Sequence, residues 1–223
     1  MSTRLSLSPE LLESRDMMAV DVLANIMVEG DARFIPRSLA EFNGSVYMRL
    51  SDNITGPEPW VTEGTAESTR LLKDIRVGNF GSGARDFTPF DGRLFFTASN
   101  GFSGLELWVT DGTKGTTQLV ADIWPGSENG APTEFTVFQD HLYFFANDGE
   151  TGRELYRSDG TNLGTLSVGD LVPGIAGASG ESLMVIGDQM FFRSDSTSSE
   201  AQGIWVSDGT AAGTSRLPFT GLD

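Results

Sequence analysis

An internal repeat constrains the fold of this chain more than any other feature. Four segments align, and in each an aromatic residue stands four positions before a Gly-Thr pair. The segments are EPWVTEGTAEST from Glu58, ELWVTDGTKGTT from Glu106, ELYRSDGTNLGT from Glu154 and GIWVSDGTAAGT from Gly203. The aromatic residues Trp60, Trp108, Tyr156 and Trp205 are 48, 48 and 49 positions apart. Together with a second aromatic run upstream of each segment, the repeat covers nearly all of residues 20–217, so one supersecondary unit recurs four times.

Each unit is interpreted as four short strands, and the third unit shows the pattern. The predicted strands are Pro132 to Phe138, Leu142 to Ala146, Glu154 to Ser158 and Thr165 to Leu171. Asp-Gly between apolar runs is a strong hairpin signal, and no window keeps a helical period over three turns. A repeat of this length with four strands has the size of a β-propeller blade. The sequence therefore predicts an all-β fold, a β-propeller of four-stranded blades.

The domain organisation follows from the repeat. We expect residues 1–19 to form an N-terminal arm and residues 20–223 to form the propeller domain. The predicted repeats span approximately 34–81, 82–129, 130–177 and 178–217. The last repeat weakens after Thr214, where Pro218 disfavours a paired strand, whereas Val22 to Ile26 matches the fourth-strand pattern of the other repeats. We therefore expect residues 20–26 to complete the last blade and close a ring of four, which would remove two open sheet edges.

The ring size has an alternative interpretation. The arm directly before Val20 disfavours missing upstream blades, and the weak last strand disfavours missing downstream blades. A chain that forms part of a larger ring of five or more blades is the competing hypothesis. The sequence does not determine the oligomeric state.

The amino-acid composition excludes several kinds of binding site and partner. The chain has no Cys and one His, which excludes disulfides, zinc fingers and iron–sulfur clusters. With 15 Lys+Arg against 31 Asp+Glu, the net charge of −16 argues against nucleic acid and anionic membrane surfaces as partners. No apolar run is long enough to insert into a membrane, and Glu10, Glu13 and Asp16 interrupt any signal-peptide core.

Two motifs carry family resemblances. The repeated ELW…DGT…GT pattern resembles the ELWxxDGT repeat proteins of bacteria, with Pro59, Glu63, Tyr156 and Gly203 departing from the motif. The segment LESRDMM from Leu12 loosely resembles the LEPR-XLL motif of exported bacterial proteins. These resemblances imply a propeller fold and an extracellular or cell-surface location. The repeat family has no established activity as a class.

Calcium is the one cofactor that the acidic loops suggest, because it binds six to eight oxygens. The best candidate ligands are Asp148, Glu150 and Asn147, in a hairpin that also contains Gly149. The spacing is not that of an EF-hand loop, and a solvated hairpin is the favoured interpretation.

The repeated carboxylates are favoured as structural groups. The turn residues Asp111, Asp159 and Asp208, with Glu63 in the first unit, fit Asx turns better than a ring of calcium ligands. The strand-end residues Asp74, Asp122 and Asp170 are expected to accept hydrogen bonds from backbone amides of the loops that follow them. The alternative for Asp74, Asp122 and Asp170 is that they line a channel.

No catalytic residue is predicted. Glu106 and Glu154 could serve as the carboxylate pair of a glycoside hydrolase, but their symmetric positions argue against this. The single histidine, His141, aligns with turn residues of the other repeats and is expected to be exposed.

The repeated aromatic residues are predicted to form the core between blades. Trp124 differs because it has no counterpart in the other repeats and lies in a loop, so it is the residue favoured for contact with a partner. We therefore expect a non-enzymatic binding or scaffold module that recognises a protein or glycan through propeller loops. A calcium-stabilised structural module and a glycoside hydrolase or lyase of propeller fold are the alternatives.

Overall fold

The computed structural model describes residues 37–218 except Asn53, Thr197 and Glu200. The predicted arm, residues 1–19, and the predicted closing strand, residues 20–26, lie outside the described residues. Within the described part, the chain forms strands and connecting turns with no helix.

Sixteen strands form four separate antiparallel sheets, each built from four strands that are consecutive in the chain. The first sheet contains β1 (Arg37–Phe42), β2 (Ser45–Asp52), β3 (Gly56–Thr62) and β4 (Arg70–Leu71). The second contains β5 (Arg85–Phe90), β6 (Arg93–Ala98), β7 (Glu106–Thr110) and β8 (Gln118–Ala121). The third contains β9 (Thr133–Phe138), β10 (His141–Asn147), β11 (Arg153–Ser158) and β12 (Leu166–Ser167). The fourth contains β13 (Gly180–Ile186), β14 (Gln189–Ser194), β15 (Gly203–Ser207) and β16 (Ser215–Arg216).

Each sheet lies within one predicted repeat and has the order of a propeller blade. In the third repeat the first three strands occur within a residue or two of their predicted bounds. The fourth, predicted from Thr165 to Leu171, is much shorter than expected, since β12 contains only Leu166 and Ser167. Backbone bonding to β11 ends at Val168, whose N–H donates to the carbonyl of Leu155. Beyond it, the N–H of Gly169 donates to the hydroxyl of Ser167 and the N–H of Leu171 to the side chain of Glu154.

The fourth sheet also differs from expectation, because its outer strand is present. β16 pairs with β15 through Trp205–Arg216 and Val206–Ser215, the register that β4 and β12 use in their sheets. Leu217 adds a backbone bond to Ile204. The pairing ends before Pro218, so the proline does not remove the strand, and the fourth blade obtains all four strands from its own repeat.

A bulge at the same place bends the first strand of every sheet. The pairing register shifts in β1, β5, β9 and β13, and one residue in each has positive φ. These residues are Ser38, Asp86, Glu134 and Ser182. Such bulges increase the local twist of a strand. Their recurrence at equivalent positions shows that the repeat extends to backbone conformation.

Three apolar clusters join neighbouring sheets and form the core. Trp108, Tyr156 and Trp205 each lie in one cluster, as predicted, whereas Trp60 of the first sheet is only half-buried. Aromatic contacts such as Phe144–Tyr156, with ring centroids 6.0 Å apart, fill the clusters.

The four sheets do not close on themselves. The first strands of adjacent sheets contact each other, β1 with β5, β5 with β9 and β9 with β13. No comparable contact joins β13 to β1 in the described part of the chain. The closed four-blade ring favoured by the sequence is therefore not formed by these sheets.

Candidate functional site

Three buried glutamates hold the linkers between blades. Glu58, Glu106 and Glu154 open the aromatic segment of the first three repeats and are fully buried. The carboxylate of Glu106 accepts the backbone N–H of Ile123 at 2.8 Å and of Gly130 at 2.7 Å. Both donors belong to the linker that leads to the third blade. The glutamate therefore fixes the path of the chain from one blade to the next.

The same arrangement recurs in the two flanking blades. Glu154 accepts the N–H of Leu171 at 3.3 Å and of Ala178 at 3.0 Å. Glu58 accepts the N–H of Ile75 and of Arg76, and the hydroxyl of Ser82 donates to it at 2.6 Å. In the fourth repeat Gly203 takes this position, and no further described blade follows.

Burial raises the pKa of Glu58, Glu106 and Glu154 to about 7. The hydrogen bonds from the linkers act in the opposite direction, because they favour the ionised carboxylate. The aspartate nearest to each glutamate adds to the increase through like-charge repulsion. These carboxylates are buried within three different blades, so the structure does not present Glu106 and Glu154 as an accessible catalytic pair.

The aspartates of the Asp-Gly-Thr turns form Asx turns, as predicted. The Oδ1 atoms of Asp111, Asp159 and Asp208 accept the N–H of the threonine two positions later, at 3.0, 2.8 and 2.9 Å. These hydrogen bonds hold the pKa of the three exposed carboxyls below the usual range, with the threonine hydroxyls contributing most. In the first repeat, which has Glu63, the hydroxyl of Ser68 accepts the turn N–H groups.

Pairs of hydroxyls that are at least partly buried close the same turns. They join residues seven positions apart in every blade, at 2.7–2.9 Å. The pairs are Thr62–Thr69, Thr110–Thr117, Ser158–Thr165 and Ser207–Thr214. This contact explains why a second threonine recurs in the motif.

Of the predicted calcium ligands, Asp148 and Glu150 lie in the turn between β10 and β11, and Asn147 is the last residue of β10. Asp148 Oδ1 accepts the N–H of Glu150 and of Thr151 at 2.8 Å, and Oδ2 accepts the hydroxyls of Thr151 and Tyr156. Asn147 accepts the N–H of Gly149 at 2.8 Å. Both carboxylate oxygens of Asp148 thus have protein donors, and the described residues contain no group of three or more metal-ligating side chains.

Equivalent hairpins show that the turn does not require a charge. Asp52 Oδ1 accepts the N–H of Ile54 and of Thr55 in the first blade. Asn100, a neutral residue, accepts the N–H of Phe102 and of Ser103 in the second. The common requirement is a short side chain with an acceptor oxygen.

The strand-end aspartates behave differently from one another. Asp122 accepts the N–H of Gly126 at 3.3 Å, as predicted for this set. Oδ1 of Asp74 is buried and has no hydrogen-bond partner among the described residues. The stronger hold on the linkers comes from Glu58, Glu106 and Glu154, near the start of the third strand in the first three blades. The sequence analysis did not assign this role.

Hairpins and linkers meet at one end of the sheets, which we call the linker end. Because strands alternate in direction, the hairpin between the second and third strands of a blade lies beside the linker that follows its fourth strand. The N–H of Gly104 in one hairpin donates to the carbonyl of Gly126 in the linker at 3.1 Å, and Ala131 donates to Leu105. The Asp-Gly-Thr turns lie at the opposite end.

Trp124, the predicted partner-contact residue, lies at the linker end and is half-buried. Its indole covers Gly149 in the hairpin of the next blade so closely that a Cβ at that glycine would collide with it. The side chain therefore has a packing role between blades and exposes only part of its surface. His141 is half-buried at the start of β10, with its ring 6.3 Å from Tyr143.

The linker end exposes several large apolar side chains that sequence analysis missed. Each of the following is at least 72% exposed: Ile54, Val77, Phe80, Phe102 and Ile175. The guanidinium of Arg76 lies 5.1 Å from the ring centre of Phe80. In the sequence, these exposed residues could have been recognised as apolar residues close to glycine in a loop, as in the segments GFSG from Gly101 and GNFG from Gly78.

An open cavity of about 400 Å³ lies beside the fourth sheet. Its lining residues are Arg193, Ser194, Asp195, Gln202, Gly203 and Ile204. In the preceding blades the region around the equivalent of Gly203 holds the buried glutamate and its linker. The cavity is thus a feature of the end of the described array.

No family model and no curated protein matches the chain. Among solved structures, the computationally designed protein Ika8 matches at 17% identity and a TM-score of 0.42, covering 79% of this chain and 46% of that one. A prolyl endopeptidase matches at 15% identity and a TM-score of 0.52, and the match covers 83% of this chain and 26% of the endopeptidase. An α-L-arabinofuranosidase from Clostridium thermocellum matches at 16% identity and a TM-score of 0.40, and the match covers 84% of this chain and 73% of the arabinofuranosidase.

These matches concern the fold alone, and the chain spans less than half the length of Ika8 and of the prolyl endopeptidase. The four blade-like sheets and the match to the prolyl endopeptidase, at a TM-score of 0.52, define the class: this is an all-β protein of β-propeller type. No helix in the described residues has the length and apolar character needed to cross a bilayer.

Proposed function

We propose that this chain is a non-enzymatic binding or scaffold module that recognises a protein or glycan through the loops of its linker end. The observation that carries the proposal is the set of exposed apolar side chains on that end. Exposed apolar groups that cluster on one side of a soluble protein mark interaction sites. Loops held by a rigid scaffold are the common location for such sites.

The fixed geometry of these loops supports a binding role. The carboxylates of Glu58, Glu106 and Glu154 accept hydrogen bonds that fix the linkers, and Asx turns fix the hairpins. A pre-organised surface loses less conformational entropy on binding. Most of the repeated carboxylates accept hydrogen bonds within this scaffold, which supports binding over catalysis.

The chemistry of the linker end favours a protein surface over a glycan. Phe80 and Phe102 could stack on sugar rings, but Ile54, Val77 and Ile175 are aliphatic and suit apolar side chains. The excess of acidic residues disfavours nucleic acid. The extracellular or cell-surface location is part of the proposal and depends on the two family resemblances.

The experiment compares two variants with the full chain in a binding screen against a glycan array and a panel of purified bacterial surface proteins. The variant Phe80→Ser/Phe102→Ser removes two aromatic groups from the linker end. The control, Leu163→Ser, removes an apolar group that is 88% exposed in an Asp-Gly-Thr turn at the opposite end. We expect ligands of the wild-type chain to be lost by the double variant and retained by the control.

Two outcomes would contradict the proposal. One is a ligand whose binding survives the loss of both phenylalanines. The other is hydrolysis of a polysaccharide that disappears in Glu106→Gln or Glu154→Gln while the fold, checked by circular dichroism, is retained. The second result would support the glycoside hydrolase alternative.

A further inference from the structure

Three exposed apolar residues at the linker end are grouped around one arginine. In the first linker, residues 72–84, the guanidinium of Arg76 lies 5.1 Å from the ring centre of Phe80. The same side chain reaches the second hairpin, residues 99–105, where a Cβ at Gly101 would lie 3.0 Å from Arg76 Nε. Phe102 directly follows that glycine, and Val77 directly follows the arginine. We call Val77, Phe80 and Phe102 the apolar sector.

The linker end is acidic between the second and third blades. Glu128 in the second linker and Glu150 in the third hairpin are exposed, and neither side chain forms an ion pair with another described residue. Arg153, which follows the third hairpin, donates its guanidinium to the carbonyl of Ala131 and to the hydroxyl of Thr133. We call Glu128 and Glu150 the acidic sector. The loops around it contain no Lys or Arg: residues 99–105, 122–132 and 148–152.

Close packing of the loops makes the two sectors neighbours. The second hairpin contacts the second linker at Gly104, where a Cβ would collide with the carbonyl of Glu128. That linker contacts the third hairpin through Trp124, whose indole covers Gly149, the residue before Glu150. One surface therefore runs from the apolar sector to the acidic sector across three blades.

The two sectors occupy equivalent positions in successive repeats. Phe80 and Glu128 are 48 residues apart, and so are Phe102 and Glu150. Groups that the fold requires recur from blade to blade, as the buried glutamates that hold the linkers do. The exchange of an exposed phenylalanine for an exposed glutamate at both positions is not a requirement of the blade. It points to a ligand whose own groups change in the same order.

We propose that the linker end binds a protein segment in which apolar side chains lie next to Lys or Arg. This inference rests on the proposed function and specifies the chemistry of the partner. The apolar side chains of the segment pack on the apolar sector, and its cations lie against Glu128 and Glu150. The partly exposed indole of Trp124, in the same loops, offers a cation–π contact. Arg76 repels a cation placed on the apolar sector, so the segment binds in one direction.

The charge of the whole chain supports a basic partner. A net charge of −16 attracts a cationic segment over a long range and accelerates its association. It repels an acidic segment and a second copy of this chain. The apolar sector then provides the contact that does not depend on salt, and the acidic sector determines the orientation.

The test selects binders of the full chain from a library of random peptides displayed on phage. We expect the selected peptides to be enriched in Lys and Arg beside apolar residues. Two double variants then separate the sectors, because Glu128→Lys/Glu150→Lys reverses the charges and Phe80→Ser/Phe102→Ser removes the rings. Synthetic copies of the selected peptides should bind each double variant about tenfold more weakly than the wild-type chain.

The matched control is Glu67→Lys/Asp140→Lys, which reverses two exposed carboxylates in turns at the opposite end. It changes the net charge by the same amount as Glu128→Lys/Glu150→Lys and should leave peptide affinity close to that of the wild-type chain. An equal loss of affinity in both variants would show unspecific attraction to an acidic protein and would overturn the proposal.

The remaining outcomes separate this inference from the proposed function. Peptides without basic enrichment that need Phe80 and Phe102, but not Glu128 and Glu150, would overturn the basic partner and leave binding at the linker end intact. Peptides that bind both double variants as well as the wild-type chain would contradict both proposals. If no peptide is selected, the basic segment is overturned, and the screen of glycans and surface proteins decides the proposed function separately.

Discussion

The carboxylate of Glu106 accepts the backbone N–H of Gly130, 24 residues further along the chain, at 2.7 Å. Glu154 and Ala178 repeat this relationship at the same separation. In both cases the glutamate is the first or second residue of the third strand of a blade, and the amide lies just before the first strand of the next. A side chain at the linker end of one blade thereby determines where the next blade begins.

Replacement of Glu106 by glutamine should destabilise the fold by about 1–3 kcal/mol at pH 5, because an amide nitrogen cannot accept the N–H of Ile123 or Gly130. Urea denaturation followed by tryptophan fluorescence measures the change. Glu128→Gln, an isosteric change at an exposed residue of the same linker, is the control and should have little effect. Equal stabilities of the two variants would show that the buried hydrogen bonds are dispensable.

The contribution of Glu106 to stability should decrease as the pH rises from 4.5 to 7. Burial raises its pKa from 4.5 to about 7, so the folded chain binds more protons than the unfolded chain in this interval. The stabilisation is complete below pH 4.5 and is lost as the pH passes through 7. The cost of Glu106→Gln should consequently be larger at pH 5 than at pH 8. A cost that is constant or grows with pH would show that the linker N–H groups outweigh burial.

Asp148→Ala should destabilise the chain by about 1 kcal/mol, because the N–H groups of Glu150 and Thr151 and the hydroxyl of Tyr156 lose their acceptor. Asp148→Asn should cost much less, since Asn100 makes the equivalent turn in the second blade. Chemical denaturation of both variants tests the comparison. If the asparagine variant were as unstable as the alanine variant, the negative charge itself would be required.

Calcium should leave the melting temperature unchanged, because protein donors already occupy both carboxylate oxygens of Asp148. Differential scanning calorimetry with calcium and with excess chelator provides the measurement. A ligand at 100 times its dissociation constant would stabilise the fold by about 2.7 kcal/mol, a shift of roughly 5–10 °C for a chain of this size. A shift of that order, lost in Asp148→Asn, would instead establish the calcium-stabilised module.

Several local features could be predicted from the sequence because they depend on neighbours in the chain. The Asp-Gly-Thr motif predicted Asx turns, in which the aspartate bonds to nearby backbone. Asp111, Asp159 and Asp208 form such turns by accepting the threonine N–H two positions later. Alternating apolar residues between glycine-containing turns predicted the strands. The period of the repeat then predicted that four similar sheets would result.

Other features depend on contacts that local pattern does not encode. The sequence suggested that Asp74, Asp122 and Asp170 hold the linkers, and Asp122 does accept a linker N–H. The glutamates hold the linkers more extensively, over separations of 17 and 24 residues. Trp124 looked free to bind a partner because it has no repeat equivalent, yet its indole covers Gly149. Both outcomes depend on how two segments distant in sequence pack in space.

The sequence by itself determined the repeating blade, since hairpin turns and strand periodicity act over a few residues. Only the tertiary structure decided which repeats bury both faces. Phe90 and Ile186 occupy the same position in the repeat, but Phe90 is covered by the next blade and Ile186 has no blade over it among the described residues. The physical reason is that burial is a property of the neighbour, and a repeat sequence specifies the contact surface without specifying what lies against it at the end of the array.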